Sequence, residues 1–529
     1  MNTHSRRFFE FLAILLPIPF IIAWAFANFI YSNRFENFLY SQLVQYYFLM
    51  TMTFVLPAAL AMLLFPVWRR AIAIISYLET AAVFLLPGII DAVGPSVRQR
   101  YIIGPILLAT LFASLWLQKN LIGRRYVRGF IVVFLLLTAV PLSQFAIHQF
   151  TIGKHQSRAE VALQRDAVRR PNVYFILLDM YARADQLKSV LGFDNSTFLK
   201  ALESFGFYIA NKSYSSYPET TYSITTTFRM TYVQQLEPNL RETIFESATY
   251  QNFKHLRYRL VHLPQYKDVI RCPDGIECIF HESERKTTTI GQLGSNILGM
   301  LPVIPTSARR YFPSLFLHEI NEPDSLLAFL NQSPSKQTIF LYAHFDMPHP
   351  PYIRDAECNP TPPSLHGDAF NLGSMGKDAY VKFLRCGNKK VLEIVKHIVE
   401  NDPEAIIILE SDHGSYFRRR HVPGQRIPTF QKGELWYRDA LEEGYATLNA
   451  WRLPFPCRKW LTPDLSPINT FRLVFGCLTD SPPNFLPNRS YWVDEVTQRL
   501  LLLRQDNRWI VPTVERTSEP SSASKNSGK

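Results

Sequence analysis

Apolar residues are distributed very unevenly along this chain of 529 residues. The first 150 residues are mostly apolar, whereas the rest mixes apolar and charged residues as a water-soluble domain does. A helix that crosses a bilayer needs about 20 consecutive, largely apolar residues. Five segments of about this length predict a bundle of about five transmembrane helices within residues 1–150. These segments are 9–31, 43–67, 71–93, 101–118 and 129–149.

The basic residues in the short loops predict how these segments are oriented. Arg6 and Arg7 precede the first segment, and Arg69 and Arg124 belong to basic groups in the second and fourth connections. Loops rich in lysine and arginine remain on the cytoplasmic side. The amino terminus is therefore predicted to be cytoplasmic, and an odd number of spans places residues after about 150 outside. This topology fits a multi-pass protein of a bacterial inner membrane with a periplasmic or extracellular domain.

The net charge of +12 does not indicate nucleic-acid binding. Residues 1–153 carry 11 basic and 4 acidic side chains, and the remainder carries 45 basic and 40 acidic ones. The excess is thus concentrated in the membrane half, where basic residues suit anionic lipid headgroups. A nucleic-acid-binding protein would be expected to have a basic patch in the exported part. A membrane is an expected partner, and nucleic acid is not.

All cysteines lie in the part predicted to be exported. An even number of cysteines in an exported domain predicts disulfide bonds, and Cys272 with Cys278 is a plausible local pair. The absence of a C-x2-C pair argues against a structural zinc knuckle. The six cysteines are Cys272, Cys278, Cys358, Cys386, Cys457 and Cys477.

Composition divides the remainder of the chain into three parts. Residues 151–170 are polar and basic with scattered apolar positions, which predicts an interfacial linker at the outer membrane boundary. Residues 171–512 alternate strand-like and helical segments and are predicted to form one large domain. Residues 513–529 are rich in serine, glutamate and lysine, which predicts a disordered tail.

The domain over residues 171–512 is predicted to have an α/β fold with a mostly parallel central sheet. Apolar runs at 173–178, 338–342 and 406–409 are typical of buried strands. An amphipathic stretch at 378–400 predicts a long helix that leads into the last of these strands. Strands that alternate with helices favour a parallel sheet.

Potential metal ligands follow two of these strands. Asp179 comes directly after the first, and Ser411-Asp412-His413-Gly414 follows the run at 406–409. Because parallel strands end at the same edge of a sheet, these side chains are expected to meet there. Two carboxylates and an imidazole suit a divalent ion, Zn²⁺ or alternatively Mn²⁺. The alternative interpretation is that each acid caps the helix that follows it.

A hydroxyl-rich segment, residues 217–223, is a candidate source of a nucleophile. A hydroxyl is a poor nucleophile at its free pKa, and a divalent ion can activate it. This reasoning leaves Thr220, Thr221 and Ser223 as candidates. A loop that only caps a helix is the alternative.

Two histidines, His344 and His349, stand in a proline-rich loop after the strand at 338–342. The prolines restrict this loop to an extended path. The two imidazoles are predicted to bind a phosphate group, to protonate a leaving oxygen or to ligate a second metal.

Four segments in combination resemble the sulfatase-like branch of the alkaline phosphatase superfamily. They are residues 172–179, the segment around Thr220, residues 344–352 and residues 411–414. With five spans, the chain is similar to lipid A phosphoethanolamine transferases and lipoteichoic acid synthases. The resemblance implies an alkaline-phosphatase/sulfatase-like exported domain. A true sulfatase is not expected, because the Cys/Ser-x-Pro-x-Arg segment of those enzymes is absent.

The resemblance also implies a role for each candidate residue. Thr220 would be the nucleophile, since its spacing to Ser223 matches the Thr-x-x-Ser segment of the transferases, with Thr221 as the fallback. His344 and His349 keep the spacing of the substrate-binding histidines. The implied metal ligands are Asp179, Thr220, Asp412 and His413.

The expected function is therefore transfer of a phosphate-linked headgroup, phosphoethanolamine or phosphoglycerol, from a phospholipid to an envelope glycan or lipid through a covalent threonine intermediate. The first alternative is a membrane-anchored phosphodiesterase or other hydrolase on the same metal site. The second is a non-enzymatic envelope assembly protein with a degenerate site.

Two further features leave alternatives open. Glu79 stands inside the third predicted span, where a charge is costly, and would either contact a lipid headgroup or be neutralised against another helix. Residues 418–420 are three arginines close to the Asp-His motif and would either bind phosphate or form a solvated loop.

Overall fold

The chain separates into two compact units, one of residues 1–156 with 283–318 and one of residues 157–282 with 319–529. The structure is a computed structural model. The residues that it describes are 11, 14–32, 40–69, 71–81, 124–152, 163, 165–233, 240, 242–264, 275–279, 322–332, 337–361, 374–418, 431–432, 435–494 and 499–514.

The described part of the first unit is helical. Its helices are α1 (Pro17–Ser32), α2 (Tyr40–Leu64), α3 (Ala71–Ala81) and α4 (Arg124–Ile152). Apolar side chains of α1, α2 and α3, among them Ile18, Met62 and Ala73, pack into one buried cluster. Glu79 lies on α3 with an exposed side chain, so its predicted role stays a prediction.

The membrane prediction is supported only in part. Within α2, Tyr47–Leu64 is the one helical stretch of the described residues that is long and apolar enough to cross a membrane, with a mean hydropathy of 2.0. The stretches Pro17–Asn28, Ala71–Ala81 and Ile131–Gln144 are apolar but shorter. A single such helix is weak evidence for a membrane protein. The predicted span at 101–118 lies outside the described residues, and the five-span topology stays a prediction.

The second unit is built on a seven-stranded mixed sheet. In their order across the sheet, the strands are β2 (Tyr208–Ile209), β9 (Asn449–Arg452), β6 (Ile406–Glu410), β1 (Val173–Leu178), β5 (Ile339–Phe345), β3 (Arg259–Leu263) and β4 (Glu277–Cys278). Strands β1, β3, β4, β5 and β6 are parallel, whereas β9 runs antiparallel to both of its neighbours. The expected α/β fold with a mostly parallel sheet is thus present.

Successive side chains of each strand point to opposite faces of this sheet, and helices pack on both faces. Ile176 of β1 packs in the cluster that includes the long helix of residues 374–401, whereas Phe175 faces the opposite cluster with Phe228 and Phe471. Burial on both faces explains why β1 reads as a continuous apolar run. The helices are α5 (Ala184–Leu191), α6 (Ser196–Ser204), α7 (Thr220–Arg229), α8 (Ala248–His255), α9 (Glu322–Gln332), α10 (Ser374–Asn401), α11 (Arg438–Tyr445) and α12 (Thr470–Leu478).

The second unit also contains two small three-stranded sheets. Their strands are β7 (Gln431–Lys432), β8 (Leu435–Tyr437), β10 (Arg489–Asp494), β11 (Arg499–Gln505), β12 (Arg508–Trp509) and β13 (Thr513–Val514). The prediction of a disordered tail from residue 513 was wrong at its start, because Thr513 and Val514 pair with Trp436 and Tyr437 of β8. A β-branched pair after a proline suits such an edge strand. Residues 515–529 lie outside the described part.

Disulfide bonds connect cysteines of the second unit, as the sequence predicted. Cys358 bonds Cys386, and Cys457 bonds Cys477. Cys278 is also disulfide-bonded. Cys272, the proposed local partner of Cys278, lies outside the described residues.

The predicted interfacial linker is described only in part, and there the backbone amides of Val168 and Arg169 donate to the carbonyl of Leu478 at the end of α12.

Candidate active site

Three neighbouring parallel strands bring the candidate ligands to one edge of the sheet. Strand β1 lies between β6 and β5, with Leu178 opposite Phe345 and Leu177 opposite Glu410. Their carboxyl ends therefore coincide, as a parallel arrangement requires. Asp179 follows β1, Asp412 and His413 follow β6, and His344 stands at the end of β5.

The side chains of these residues form a buried cluster. One ligand atom from each of Asp179, His344 and Asp412 lies within 4.8 Å of the others. The Nε2 atom of His413 lies 3.6 Å from Asp179 Oδ1 and 3.4 Å from Asp412 Oδ2. The Nε2 atom of His344 lies 3.9 Å from Asp179 Oδ2. The carboxylate of Asp179 is thus placed between two imidazoles.

The two oxygens of Asp412 have different surroundings. Oδ1 accepts hydrogen bonds from the backbone amides of Met180 at 3.1 Å and His413 at 2.9 Å. Oδ2 is buried and accepts no hydrogen bond from the described residues. A buried carboxylate oxygen is costly unless a cation or a donor satisfies it. This oxygen, turned towards Asp179 and His413, fits a ligand of a divalent cation.

The hydrogen bonds of the two imidazoles indicate which nitrogen faces the carboxylates. His413 Nδ1 lies 2.9 Å from the carbonyl oxygen of Gly414. Because a carbonyl can only accept, Nδ1 carries the proton, and in the neutral ring the lone pair of Nε2 points at Asp179 and Asp412. His344 Nδ1 lies 3.3 Å from the hydroxyl of Tyr342. A lone pair that faces two carboxylates suits a shared cation.

Thr220 is brought to this cluster by the start of helix α7. It is the first residue of the helix, and its Oγ1 lies 3.3 Å from His413 Nε2. Ser223, one turn later, donates from Oγ to the carbonyl of Asp412 at 2.6 Å and thereby ties α7 to the Asp-His motif. The hydroxyl of Ser223 is therefore engaged in a structural bond, while that of Thr220 faces the candidate metal ligands.

The remaining predicted site residues occupy other positions. His349 is half-buried in the loop after β5, with Nδ1 2.6 Å from the carbonyl of Pro350, and its role in substrate binding stays a prediction. His344, for which phosphate binding, proton transfer and metal ligation were all predicted, lies among the candidate metal ligands, because the register of β5 places it beside Leu177. Arg418 Nε lies 3.9 Å from Asp439. Residues 419 and 420 lie outside the described part.

A buried glutamate supports the segment after the Asp-His motif, and sequence reasoning missed it. Glu443 of α11 accepts hydrogen bonds from Ser415 Oγ at 2.7 Å, the Phe417 amide at 2.6 Å and the Arg418 amide at 2.7 Å. Burial raises the pKa of its carboxyl above the usual range. No local sequence signal marks this residue, because its partners lie 25 to 28 positions away in the chain.

A second buried acid lies directly before the motif. Glu410 ends strand β6, and its carboxylate accepts a hydrogen bond from Thr470 Oγ1 at 2.5 Å. Burial raises the pKa of Glu410 to about 8, and the nearby Asp412 carboxylate adds to this rise. At pH 7 the carboxyl of Glu410 is therefore mostly protonated, and it lies beside the Asp412 carboxylate, whose negative charge a bound cation would compensate.

Gly414 permits a close backbone approach that fixes the Asp-His motif. A Cβ atom at this position would lie 1.9 Å from the carbonyl oxygen of Glu443. We expect Gly414→Ala to lower the free energy of unfolding by about 2–4 kcal/mol, because the backbone of α11 must move to relieve the overlap. The thermal midpoint of the second unit should fall by about 5 °C or more.

The matched control for this substitution is Gly387→Ala in helix α10. A Cβ at Gly387 meets only the side chain of Met347 at 3.4 Å. Alanine also favours a helix interior by up to about 1 kcal/mol over glycine. Equal thermal midpoints for Gly414→Ala and Gly387→Ala would contradict the close approach of residues 414 and 443.

No family model and no curated protein matches this sequence. Solved structures that resemble it include the zinc complex of the C-terminal periplasmic domain of EcEptC from Escherichia coli, with 10% identity, coverage of 63% of this chain and 93% of that chain, and a TM-score of 0.39. The integral membrane lipooligosaccharide phosphoethanolamine transferase A (EptA) from Neisseria meningitidis has 11% identity, coverage of 88% and 95%, and a TM-score of 0.39.

The phosphonate monoester hydrolase SpPMH from Silicibacter pomeroyi has 14% identity, coverage of 62% of this chain and 80% of that chain, and a TM-score of 0.37. These proteins belong to the alkaline phosphatase superfamily, the group that the sequence motifs resemble.

Proposed function

We propose that this chain is a membrane-bound, metal-dependent transferase that moves phosphoethanolamine or phosphoglycerol from a phospholipid to an envelope glycan or lipid. One observation above all supports this proposal. The hydroxyl of Thr220 lies 3.3 Å from the imidazole of His413, which itself lies within 3.6 Å of two buried carboxylates. A hydroxyl beside such a cluster has the surroundings of an activated nucleophile.

The side chains around this hydroxyl fit a divalent cation. Asp179, Asp412, His413 and Thr220 would hold it, with His344 as a further nitrogen ligand. Oxygen and nitrogen donors of this kind suit Zn²⁺, and Mn²⁺ is the alternative. When bound, such an ion lowers the pKa of a hydroxyl and polarises a phosphoryl oxygen.

Thr220 performs the first half of the proposed reaction. Its Oγ1 attacks phosphorus, so that an Oγ1–P bond forms while the bond from phosphorus to the glycerol oxygen of the lipid breaks. The proton of the hydroxyl is transferred to the departing oxygen, which leaves as diacylglycerol. We assign this proton transfer to His349, the second histidine of the loop after β5, because His344 lies among the candidate metal ligands.

An acceptor hydroxyl completes the transfer. Its oxygen attacks phosphorus, a new O–P bond forms, the Oγ1–P bond breaks, and the proton of the acceptor hydroxyl is transferred to Thr220 Oγ1. The start of α7 assists both steps, because the amides in the first turn of a helix point towards an anion and the helix dipole favours negative charge there. A hydrolase would use water in place of this acceptor.

The apolar segments that precede the catalytic domain in the chain support a lipid as the donor. The apolar stretch Tyr47–Leu64 and the predicted spans would hold the domain at a bilayer, where phospholipid headgroups are concentrated. A hydrolase of soluble substrates gains less from this location.

The proposal is tested by intact-mass spectrometry of the full chain in detergent micelles. The protein is incubated with phosphatidylethanolamine or phosphatidylglycerol, with and without a chelator. We expect the mass of the intact protein to increase by one headgroup phosphoryl, only without chelator, and peptide mapping should locate the increase on the peptide that contains Thr220. Headgroup release in water without need of an acceptor would favour the hydrolase. Absence of both metal and adduct would favour the non-enzymatic alternative.

A further inference from the structure

Tyr416 contacts both a candidate metal ligand and the segment that leads to the nucleophile. Its ring stacks on the imidazole of His413, with centroids 4.8 Å apart and an angle of 25° between the planes. Its hydroxyl donates a hydrogen bond to the carbonyl of Pro218, two residues before Thr220. The side chain is buried, with 9% of its surface exposed.

We propose that Tyr416 is a positioning residue that sets the distance between Thr220 and His413, an inference that rests on the proposed function. Rotation of the His413 ring is limited on its face by Tyr416 and at Nδ1 by the carbonyl of Gly414. The hydrogen bond to Pro218 limits the path of the chain into α7. The contact of 3.3 Å between Thr220 and His413 depends on both restraints.

The segment that carries Tyr416 is itself held on both sides. Ser415 before it and Phe417 after it are both bound to the carboxylate of Glu443, at 2.7 and 2.6 Å. Gly414 packs against the backbone of the same helix end. The backbone of Tyr416 is therefore held in place. A change in its side chain alters the contacts with His413 and Pro218, because the backbone on either side cannot shift to compensate.

Two substitutions separate the two contacts. Tyr416→Phe keeps the ring stack and removes only the hydroxyl. We expect the turnover number to fall about 10- to 100-fold with unchanged KM and metal content, because small displacements of a nucleophile reduce the rate strongly. Turnover is measured as diacylglycerol release from phosphatidylethanolamine or phosphatidylglycerol in detergent micelles.

Tyr416→Leu also removes the stack on His413. We expect metal affinity to fall about 10-fold or more, as it does when groups that orient metal ligands are removed. The absorption spectrum of the Co²⁺-substituted protein should change in Tyr416→Leu and stay unchanged in Tyr416→Phe. A purely structural role would alter the thermal midpoint without this division between the two variants.

Tyr258→Phe is the matched control. Tyr258 is also buried, and its hydroxyl donates to the carbonyl of Pro171 at 2.9 Å, at the opposite edge of the sheet. The positioning role is overturned if Tyr416→Phe loses no more turnover than Tyr258→Phe, or if Tyr416→Leu keeps the metal affinity and Co²⁺ spectrum of the wild type. If the wild type binds metal without turnover, the proposed function fails, and the affinity and spectrum alone decide the role of Tyr416.

Discussion

Alanine in place of Thr220 is expected to abolish the covalent adduct and to lower turnover by about 10³-fold or more, which is the scale observed when an enzyme loses its nucleophile. The expectation follows from the position of Oγ1, 3.3 Å from His413 at the start of α7. The effect is measured as diacylglycerol release from phosphatidylethanolamine or phosphatidylglycerol, together with the intact mass of the protein after incubation.

Two controls assign this loss to the hydroxyl of residue 220. Thr220→Ser retains a hydroxyl and should retain both the adduct and part of the turnover. Thr221→Ala removes the neighbouring hydroxyl, which is half-buried on the same helix, and should keep turnover within about 10-fold of the wild type. An adduct that persists in Thr220→Ala and disappears in Thr221→Ala would transfer the nucleophile to Thr221.

The strands that carry the site could be predicted because each is buried on both faces. The run at 173–178 coincides with β1, and the runs at 338–342 and 406–409 overlap β5 and β6. Central parallel strands need apolar side chains at nearly every position. The first carboxylate after an apolar run in the sequence therefore indicates where such a strand ends. This pattern was sufficient to predict that Asp179 and Asp412 lie at the same edge of the sheet.

The environment of the ligands could not be predicted, because it depends on contacts between distant parts of the chain. Glu443 binds residues 415–418 from helix α11, and Tyr416 contacts Pro218 across 198 positions. Neither contact leaves a local pattern. The cluster position of His344 depends on the register of β5 against β1, which an apolar run does not reveal.

The disulfide pairing shows the same limit of sequence patterns. An even number of cysteines predicted that bonds would form, but the partners of Cys358 and Cys457 are set by the folded chain. Cys358 bonds to helix α10, and Cys457 bonds to helix α12. Spacing alone does not determine pairing among six cysteines.

Asparagine in place of Asp412 is expected to eliminate metal binding. The substitution keeps the size of the side chain and an oxygen that can accept from the amides of Met180 and His413. It replaces Oδ2, the oxygen turned towards Asp179 and His413, by an NH2 group that cannot ligate a cation. Elemental analysis after dialysis should show a metal content below about a tenth of the wild-type value, with turnover reduced about 10³-fold or more.

Thermal unfolding with and without metal provides a second measure of the same substitution. At a metal concentration of about 1,000 times Kd, the wild type should gain about 4 kcal/mol of stability, and Asp412→Asn should gain almost none. In chelator the order should be reversed, because the variant removes a negative charge next to the Asp179 carboxylate that no cation then compensates.

Asp402→Asn is the control for the loss of a carboxylate. Asp402 accepts a hydrogen bond from Asn172 at 2.7 Å, at the opposite edge of the sheet from Asp412. This variant should keep the wild-type metal content, whatever it does to stability. Metal content equal to wild type in Asp412→Asn, or a wild-type thermal midpoint that a chelator leaves unchanged, would show that the cluster of Asp179, His344 and Asp412 does not hold a cation. In chelator, a higher thermal midpoint for Asp412→Asn than for the wild type is expected only if Asp412 contributes its negative charge to a cation site. A carboxylate that only caps a helix would stabilise the wild type both with metal and with chelator.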